Sequence, residues 1–521
     1  MGKAHPIVYD AANRLDQVKN ALGHVLGDYT YIDRIDRTTR KYIDLGNGTR
    51  PDYMYDEIDR LTSLTNALTS TGDILSKFAY TYNKNHNALS IATREGTHFY
   101  SYDGLNQLIG VDYPAGYSFS DTTYSFDPVG NRVSNIRDGV TTAYASNNLN
   151  EYTSVGGTAL TCDANGNLVS DGVNTYSYDY DNRLVQVVTP AETVTFTYDA
   201  LGRRISKTSS AGTTRYIYDG YQSVVETDAS GTVKAAYVYG TGIDEALTMS
   251  RNGSTYYYHY DGLGSVVALT DSTGGIVEQY KYDVYGQPAI YDGAGNAIAE
   301  SSLGNPYMFT GREFDKETGI YYYRARYYSP QLGRFLQRDP LTWAPDDPRV
   351  VYLSGFRINF PRLYEDPPLA QTANQIVDDQ SFADTLTNWI MQTGQMNPEL
   401  FYPYAYCDNN PINWTDPEGL FGIFGPGLGN VRWPERTPSP LPGKGGRKGS
   451  KGGFEPRGIG NGRGLPGQFG ILGLAAGFEA GRKAWQGIGS PAWRWYRYGT
   501  PLPIGIRPVL EQGGMPHGED L

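Results

Sequence analysis

Residues 175–208, TYSYDYDNRLVQVVTPAETVTFTYDALGRRISKT, hold two copies of the pattern that decides the fold. Each copy begins with Tyr-Asp, at Tyr178 and Tyr198, continues through a short linker with Gly or Asn, and ends with Arg and an aliphatic residue. The stretches 175–181 and 193–199 alternate aromatic or β-branched residues with polar ones, the period of a half-buried strand. Asp followed by Gly or Asn predicts a turn, because Asp caps local amides and Gly and Asn tolerate positive φ. Each copy therefore predicts one β-hairpin step.

The same pattern recurs along the chain. Further copies begin at Tyr9, Tyr55, Tyr102, Phe126 and Cys162, with weaker ones at Tyr82, Tyr218, Tyr260 and Tyr282. From Tyr102 to Tyr218 the starts are separated by 24, 36, 16, 20 and 20 residues, which argues against a strict linear solenoid. A lone hairpin is marginal in water, whereas stacked hairpins bury a continuous face. The sequence thus predicts an all-β array with variable hairpin lengths, in which the repeated Tyr and Asp residues are structural.

Composition agrees with many short strands joined by tight turns. The 521 residues include 45 Tyr against 17 Phe, together with 63 Gly and 30 Pro. The two cysteines, Cys162 and Cys407, lie far apart in the sequence, so neither a zinc site nor a disulfide framework is expected. A single disulfide between them remains an alternative. No cofactor or metal is predicted. The N-terminal residues lack the apolar core of a signal peptide. The sequence contains no run of 18 apolar residues, so no membrane-spanning helix is predicted.

Charge divides the chain unevenly. Residues 421–521 hold 13 Lys and Arg against 6 Asp and Glu, a net charge of +7. Residues 1–420 hold 31 against 50, a net charge of −19. A basic segment favours nucleic acid or a membrane surface, and it is equally complementary to the acidic body that carries it.

Two stretches near the end of the repeats carry a family resemblance. They read NPYMFTGREFDKETGIYYYRARYYSPQLGRFLQRDP (305–340) and YPYAYCDNNPINWTDPEGL (402–420). Both closely resemble the RHS repeat-associated core, which follows Tyr-Asp repeats in bacterial polymorphic toxins, toxin-complex C components and wall-associated proteins; animal teneurins share the shell. The resemblance implies an all-β, spiralling YD-repeat β-sheet shell around a cavity. It divides the chain into repeats at 1–304, a core at 305–420 and a variable C-terminal segment at 421–521.

The resemblance also implies an aspartyl autoprotease that cuts just after the Asp-Pro-x-Gly-Leu element. In this sequence the cut falls between Leu420 and Phe421, Asp339 and Asp416 match the two acidic positions, and Arg326 matches the supporting basic one. Two close carboxylates do not both ionise easily, so one activates water while the other, protonated, polarises the scissile carbonyl. Without the resemblance, the same residues have a structural interpretation. Asp before Pro is a standard turn residue, and Arg326 is then its ion-pair partner.

The chain departs from the family pattern in three ways. Asp339 is followed by Pro-Leu-Thr, without the Gly often found three residues on, and an insert at 341–400 separates the two acidic elements. The insert predicts a helix, because Ser381 to Asp384 resembles a capping box, Phe382, Leu386, Trp389 and Ile390 share one face, and Gly394 is a plausible stop. It either packs over the shell or displaces the two aspartates. Family shells use longer chains, so an incomplete shell is a further alternative.

The C-terminal segment is low in complexity, with 26 Gly in residues 421–521. Trp485, Trp493 and Trp495 alternate with Arg494 and Arg497, a pattern that can bind single-stranded nucleic acid by stacking, but a small aromatic cluster or membrane-surface patch is the favoured interpretation. The segment has one His and no Cys, which excludes a His/Cys nucleophile pair and a multi-His nuclease site there.

The leading hypothesis is a secreted or cell-surface RHS scaffold. It encloses or displays its own C-terminal segment as cargo, releases that segment by cleavage after Leu420, and has an immunity protein as a possible partner. The alternative is a non-enzymatic cell-wall-associated or adhesion protein that binds carbohydrate or protein partners through its aromatic-rich sheets. A degenerate cassette left by recombination is a third alternative.

Overall fold

The computed structural model describes residues 7–32, 39–240, 242, 244–340 and 403–419, together with the backbones of three short strands at 350–353, 356–359 and 423–424. The chain divides into two compact units, residues 1–345 with 397–442, and residues 346–396 with 443–521. In the second unit the described part is one antiparallel hairpin, Val350–Leu353 with Phe356–Asn359. The helix predicted near residues 382–390 lies outside the described residues.

The first unit contains two sheets of fifteen strands each, and in both sheets every strand pairs antiparallel with the next strand along the chain. Strands β1–β15 of the first sheet are, in order, Ile7–Tyr9, Leu15–Lys19, Val25–Tyr31, Arg40–Leu45, Thr49–Tyr55, Leu61–Leu68, Ile74–Tyr82, Ala88–Ala92, Thr97–Tyr102, Leu108–Asp112, Thr122–Phe126, Arg132–Arg137, Val140–Ser146, Tyr152–Val155 and Thr158–Ala159. Strands β16–β30 of the second sheet are Thr161–Cys162, Leu168–Ser170, Thr175–Tyr178, Leu184–Val188, Thr193–Tyr198, Arg204–Ser209, Gly212–Asp219, Gln222–Asp228, Val233–Tyr239, Ala246–Arg251, Ser254–Tyr260, Val266–Thr270, Ile276–Tyr282, Pro288–Asp292 and Ala297–Ile298. The all-β prediction is confirmed.

The Asp of each repeat builds the turn that the sequence predicts. At Asp199 one carboxylate oxygen accepts hydrogen bonds from the backbone N–H groups of Leu201 and Arg203, at 2.9 and 3.0 Å. Gly202 takes a left-handed φ of +79°, and Arg203 folds back so that its Nε donates to the other Asp199 oxygen at 2.7 Å. The Asp-Arg pairs that begin at Asp10, Asp56 and Asp179 repeat this arrangement. Each turn is therefore closed by contacts within five residues.

The Tyr of each repeat links successive hairpins. The Tyr198 hydroxyl donates to the carbonyl oxygen of Leu184, and the Arg183 guanidinium lies 5.3 Å from the Tyr198 ring centroid. The same hydroxyl-to-carbonyl bond to the start of an earlier strand is made by Tyr31, Tyr82, Tyr102, Tyr178, Tyr218, Tyr239, Tyr260 and Tyr282. Phe would bury a similar ring but has no donor for this bond. The tyrosine ladder explains why Tyr outnumbers Phe.

Side chains from distant parts of the two sheets meet in the first unit. Arg40 of β4 forms a two-pronged ion pair with Glu245, next to β25, with Nη2 at 2.8 Å from Oε2. The buried Asn47 donates to the Thr270 hydroxyl of β27 at 2.8 Å. These contacts join residues more than 200 positions apart, so the two ribbons are packed together by polar as well as apolar groups.

A buried four-stranded sheet, called the central sheet below, comes from the stretch that resembles the RHS core. Its strands β31–β34 are Glu313–Asp315, Ile320–Tyr323, Arg326–Ser329 and Arg334–Phe335. Residues 403–419 return beside it with a 3-10 turn at Cys407–Asn409 and the strand Trp414–Thr415, which pairs with the strand Ile423–Phe424. The buried aromatic rings in these segments include Tyr321, Tyr323, Tyr328, Phe335 and Tyr406. Both faces of this sheet are buried, which explains its run of consecutive tyrosines. In the strands of the repeats, aromatic and polar residues alternate instead.

Candidate two-aspartate site

Arg326 begins strand β33, and its side chain is 3% exposed. The guanidinium lies 3.6 Å from the Phe335 ring centroid, a contact that holds the planar group in place. It donates from Nε to the carbonyl oxygen of Gly419 at 2.5 Å and from Nη1 to that of Pro403 at 3.3 Å. Two of its donors therefore bind the returning segment, and Nη2 remains for the carboxylates.

The two aspartates predicted for the site meet at that nitrogen. Arg326 Nη2 lies 3.1 Å from Asp416 Oδ2 and 3.5 Å from Asp339 Oδ2. The side chains of Asp416 and Asp339 are 2% and 5% exposed. A buried charge is costly unless it is paired, so one guanidinium shared by two buried carboxyls favours a state in which one carboxyl is ionised.

The insert at 341–400 does not separate the two aspartates in space. Asp339 donates its backbone N–H to the Pro403 carbonyl at 2.9 Å, and Phe335 donates to the Tyr404 carbonyl at 3.0 Å. The chain therefore leaves and re-enters the core at neighbouring positions, which is why a long insertion is compatible with the site. In the structure the two aspartates lie together on Arg326.

The Asp416 element is a tight turn directly before the predicted cleavage bond. Gly419 donates its N–H to the Asp416 carbonyl at 3.2 Å, closing the turn Asp-Pro-Glu-Gly. Gly419 has a φ of +66°, and a Cβ there would overlap the Tyr323 carbonyl oxygen. Only glycine fits this position without a shift of the backbone. Leu420 and Phe421, which form the predicted cleavage bond, lie outside the described residues.

A third carboxyl near the site was not predicted. Burial, and then the negative charge of Asp416, raises the pKa of Asp408 to about 7. Its Oδ1 is buried and makes no hydrogen bond, and its backbone has a left-handed φ of +53°. The local sequence gives little indication of such a carboxyl, since Cys407-Asp408-Asn409 is typical of an ordinary turn.

The remaining predictions concern a disulfide, a metal site and a membrane span, and the structure bears on them only for the residues it describes. Cys162 and Cys407 are not joined by a disulfide. Within the ranges that the structure describes, no group of three or more His, Cys, Asp or Glu side chains is arranged to hold a metal ion. Among those same residues, no helix has the length and hydropathy needed to cross a membrane.

The fold and the site together define a YD-repeat β-scaffold with a buried pair of aspartates on a shared arginine. The family model described as "Teneurin YD-shell" matches residues 52–361. The chain belongs to the teneurin YD-shell family of RHS and YD-repeat proteins, and the predicted family is thereby confirmed.

Individual relatives match part of the chain. "tRNA nuclease WapA" of Bacillus subtilis (strain 168) is 37% identical over 304 residues, covering 57% of this chain and 13% of the relative. "Toxin protein Tse5" of Pseudomonas aeruginosa is 25% identical over 359 residues, covering 51% of this chain and 26% of the relative. The chain therefore spans about a quarter or less of the length of these curated relatives.

Solved structures support the same fold. "Crystal Structure of TcdB2-TccC3" has a TM-score of 0.56 at 18% identity, covering 80% of this chain and 21% of that chain. "Structure of Photorhabdus luminescens Tc holotoxin pore" has a TM-score of 0.58 at 18% identity, with 80% and 20% covered. At this identity the likeness concerns the architecture, and it agrees with the predicted YD-repeat sheet.

Proposed function

We propose that this chain is the scaffold of a secreted or cell-surface toxin-type protein, and that its core cleaves the chain after Leu420 to free residues 421–521. The observation that carries the proposal is the placement of Asp339 and Asp416 on one nitrogen of Arg326. The names of WapA and Tse5, a nuclease and a toxin, support a toxin role for proteins built on this scaffold.

The proposed reaction is hydrolysis by two carboxyl groups in different protonation states. Arg326 lies closer to Asp416 than to Asp339, which favours Asp416 as the ionised member. Asp416 takes a proton from water as the water oxygen adds to the Leu420 carbonyl carbon. Asp339 then gives its proton to the Phe421 nitrogen as the C–N bond breaks. The products are a carboxyl terminus at Leu420 and an amino terminus at Phe421.

The acidic body supports the role of the C-terminal segment as cargo. Residues 1–420 carry a net charge of −19 and residues 421–521 a net charge of +7, so the two parts attract each other. A toxin of this kind is expected to have an immunity protein that binds the freed segment. Both partners follow from the proposed function.

The test is to express the full chain and identify its fragments by mass spectrometry. A fragment beginning at Phe421 is expected from the wild type, and full-length chain from Asp339→Asn and Asp416→Asn. Asp181→Asn is the matched control, because this carboxyl is 73% exposed on a repeat turn and its loss should leave cleavage unchanged. An uncleaved wild type, or cleavage in both site variants, would contradict the proposal and leave a non-enzymatic scaffold.

A further inference from the structure

Three consecutive residues of the core bind three consecutive carbonyl groups just before the proposed cleavage bond. Arg324 donates from Nη1 to the Pro417 carbonyl oxygen. The Ala325 N–H donates to the Glu418 carbonyl at 3.2 Å, and Arg326 Nε donates to that of Gly419 at 2.5 Å. The chain from Pro417 to Gly419 is thus held along its length, one bond per residue.

Arg324 owes its position to a residue of the second large sheet. Asp244, in the connection between β24 and β25, accepts from Arg324 Nη2 at 2.5 Å and from Arg312 Nη1 at 2.8 Å. The side chains of Asp244 and Arg324 are 8% and 13% exposed. Burial would raise the pKa of Asp244, but the charges of Arg312 and Arg324 lower it below its usual value. Asp244 is therefore an ionised, fixed support for both arginines.

The backbone at Arg324 is also set for this contact. Arg324 has a left-handed φ of +58°, uncommon for a residue with a long side chain. Its Nη1 lies 3.8 Å from Glu418 Oε1, so the guanidinium spans from Asp244 to the Asp-Pro-Glu-Gly turn. The conformational cost is offset by charge-assisted bonds to the buried Asp244 carboxylate and the buried Pro417 carbonyl.

We propose that Asp244 and Arg324 form a positioning pair that places residues 417–419 for cleavage and makes cleavage depend on a folded second sheet. The inference rests on the proposed function. Asp244 comes from the repeats, 80 residues before Arg324 and far from the two aspartates in sequence. A chain whose β24–β25 hairpin is not in place lacks the anchor for Arg324 and holds its cleavage segment loosely. Cleavage then follows assembly of the scaffold and does not precede it.

The expected slowing of cleavage on loss of the pair follows from the geometry of the held segment. A displacement of roughly 1 Å at a reacting group can cost on the order of 100-fold in rate. Loss of one of three bonds along the segment is expected to slow cleavage by about tenfold or more. Since neither Asp244 nor Arg324 exchanges a proton in the reaction, the shape of the pH–rate profile should stay unchanged. A group that gives or takes a proton would alter that shape.

The experiment follows the cleaved fraction of the full chain over time after in vitro translation, at several pH values. Arg324→Gln and Asp244→Asn are each expected to slow cleavage at least tenfold with an unchanged pH profile. The double variant should be no slower than the slower single variant, because the two residues act through each other. Arg183→Gln and Asp179→Asn are the controls, a partly exposed Arg-Asp pair in a repeat turn.

The outcomes separate this inference from the proposed function. If Asp416→Asn abolishes cleavage while Arg324→Gln cleaves at the wild-type rate, the proposed function stands and the positioning pair is wrong. Multiplied effects in the double variant, or a changed pH profile, would also overturn the pair. A wild type that stays uncleaved overturns both. Where Arg324→Gln does not fold, Arg324→Lys keeps a cation beside Asp244 and should fold and cleave slowly; a wild-type rate for it would overturn the pair.

Discussion

Arg204 of the second large sheet and Asp315 of the central sheet form an ion pair with Nη1 and Oδ2 2.5 Å apart, and both side chains are 1% exposed. A second acidic partner, Glu313, lies 2.5 Å from Nη2. The guanidinium is also surrounded by the rings of Phe196, Tyr216, Tyr322 and Tyr327. Arg204 therefore joins the repeat ribbon to the core through one buried group.

Replacing Arg204 is expected to destabilise the protein strongly. Arg204→Met leaves two buried carboxylates without their main cation, a change that typically costs about 3–5 kcal/mol. Arg203→Gln, at the next residue, is the control, because its partly exposed pair with Asp199 is worth about 1 kcal/mol or less. Urea unfolding followed by intrinsic fluorescence measures both, and equal midpoint shifts would contradict the role assigned to Arg204.

The tyrosine ladder predicts a measurable loss for one missing hydroxyl. Tyr178→Phe removes the 2.9 Å bond to the Leu168 carbonyl oxygen while keeping the ring. The expected cost is about 1 kcal/mol, seen as a lower thermal midpoint. Tyr180→Phe, two residues away on a fully exposed ring, should leave the midpoint unchanged. If both variants have the thermal midpoint of the wild type, the tyrosine hydroxyls add no stability and the ladder is stabilised by ring packing alone.

Two turn glycines with similar backbones separate conformational strain from close approach. Gly166 and Gly202 have φ of +82° and +79°, but a Cβ at Gly166 would collide with the Tyr404 hydroxyl, whereas Gly202 has open space. Gly202→Ala should cost roughly 1–2 kcal/mol from the left-handed backbone alone. Gly166→Ala should cost more and also slow any cleavage, because Tyr404 adjoins the segment that holds Asp339. Circular-dichroism melts compare the two, and equal losses would count against the contact with Tyr404.

Acid is expected to destabilise the fold through buried His259. Burial lowers the pKa of its imidazole from 6.5 to about 4, so the folded protein keeps it neutral while the unfolded chain takes up a proton. This contribution is fully present above about pH 6.5 and is lost as the pH falls through about 4, up to about 3 kcal/mol. His259→Gln should therefore show a smaller fall in thermal midpoint between pH 7 and pH 4.5. An identical fall in both proteins would argue against a neutral His259.

Asp408 predicts the opposite dependence on pH. Burial and the charge of Asp416 raise its pKa to about 7, so its stabilising contribution is present below about pH 4 and is lost as the pH rises through about 7. Asp408→Asn suits the left-handed backbone and cannot ionise. The variant should gain thermal midpoint relative to the wild type between pH 5 and pH 8. A difference that is the same at both pH values would contradict the raised pKa.

The repeats could be predicted from the sequence because their determinants are local. Asp199, Gly202 and Arg203 interact within five residues, so the turn is visible in a single copy of the pattern. The meeting of Asp339 and Asp416 required the family resemblance, since an insert separates them along the chain. Asp244 could not be predicted, because its pairing with Arg324 depends on how a repeat turn docks against the core. Asp408 could not be predicted either, because its raised pKa comes from burial and from the charge of Asp416, which the sequence does not show to be close in space.

The strict neighbour-to-neighbour order of the two large sheets has a consequence for biosynthesis. Each newly made strand finds its partner edge already formed by the strand before it, so closing each hairpin costs little loop entropy. The ribbon can then grow from its N-terminal end while the ribosome is still translating downstream codons. The central sheet and residues 403–419 are translated after every strand of the two large sheets. In this topology the order of synthesis is also the order of assembly, and the core is added to repeats that already have their partners.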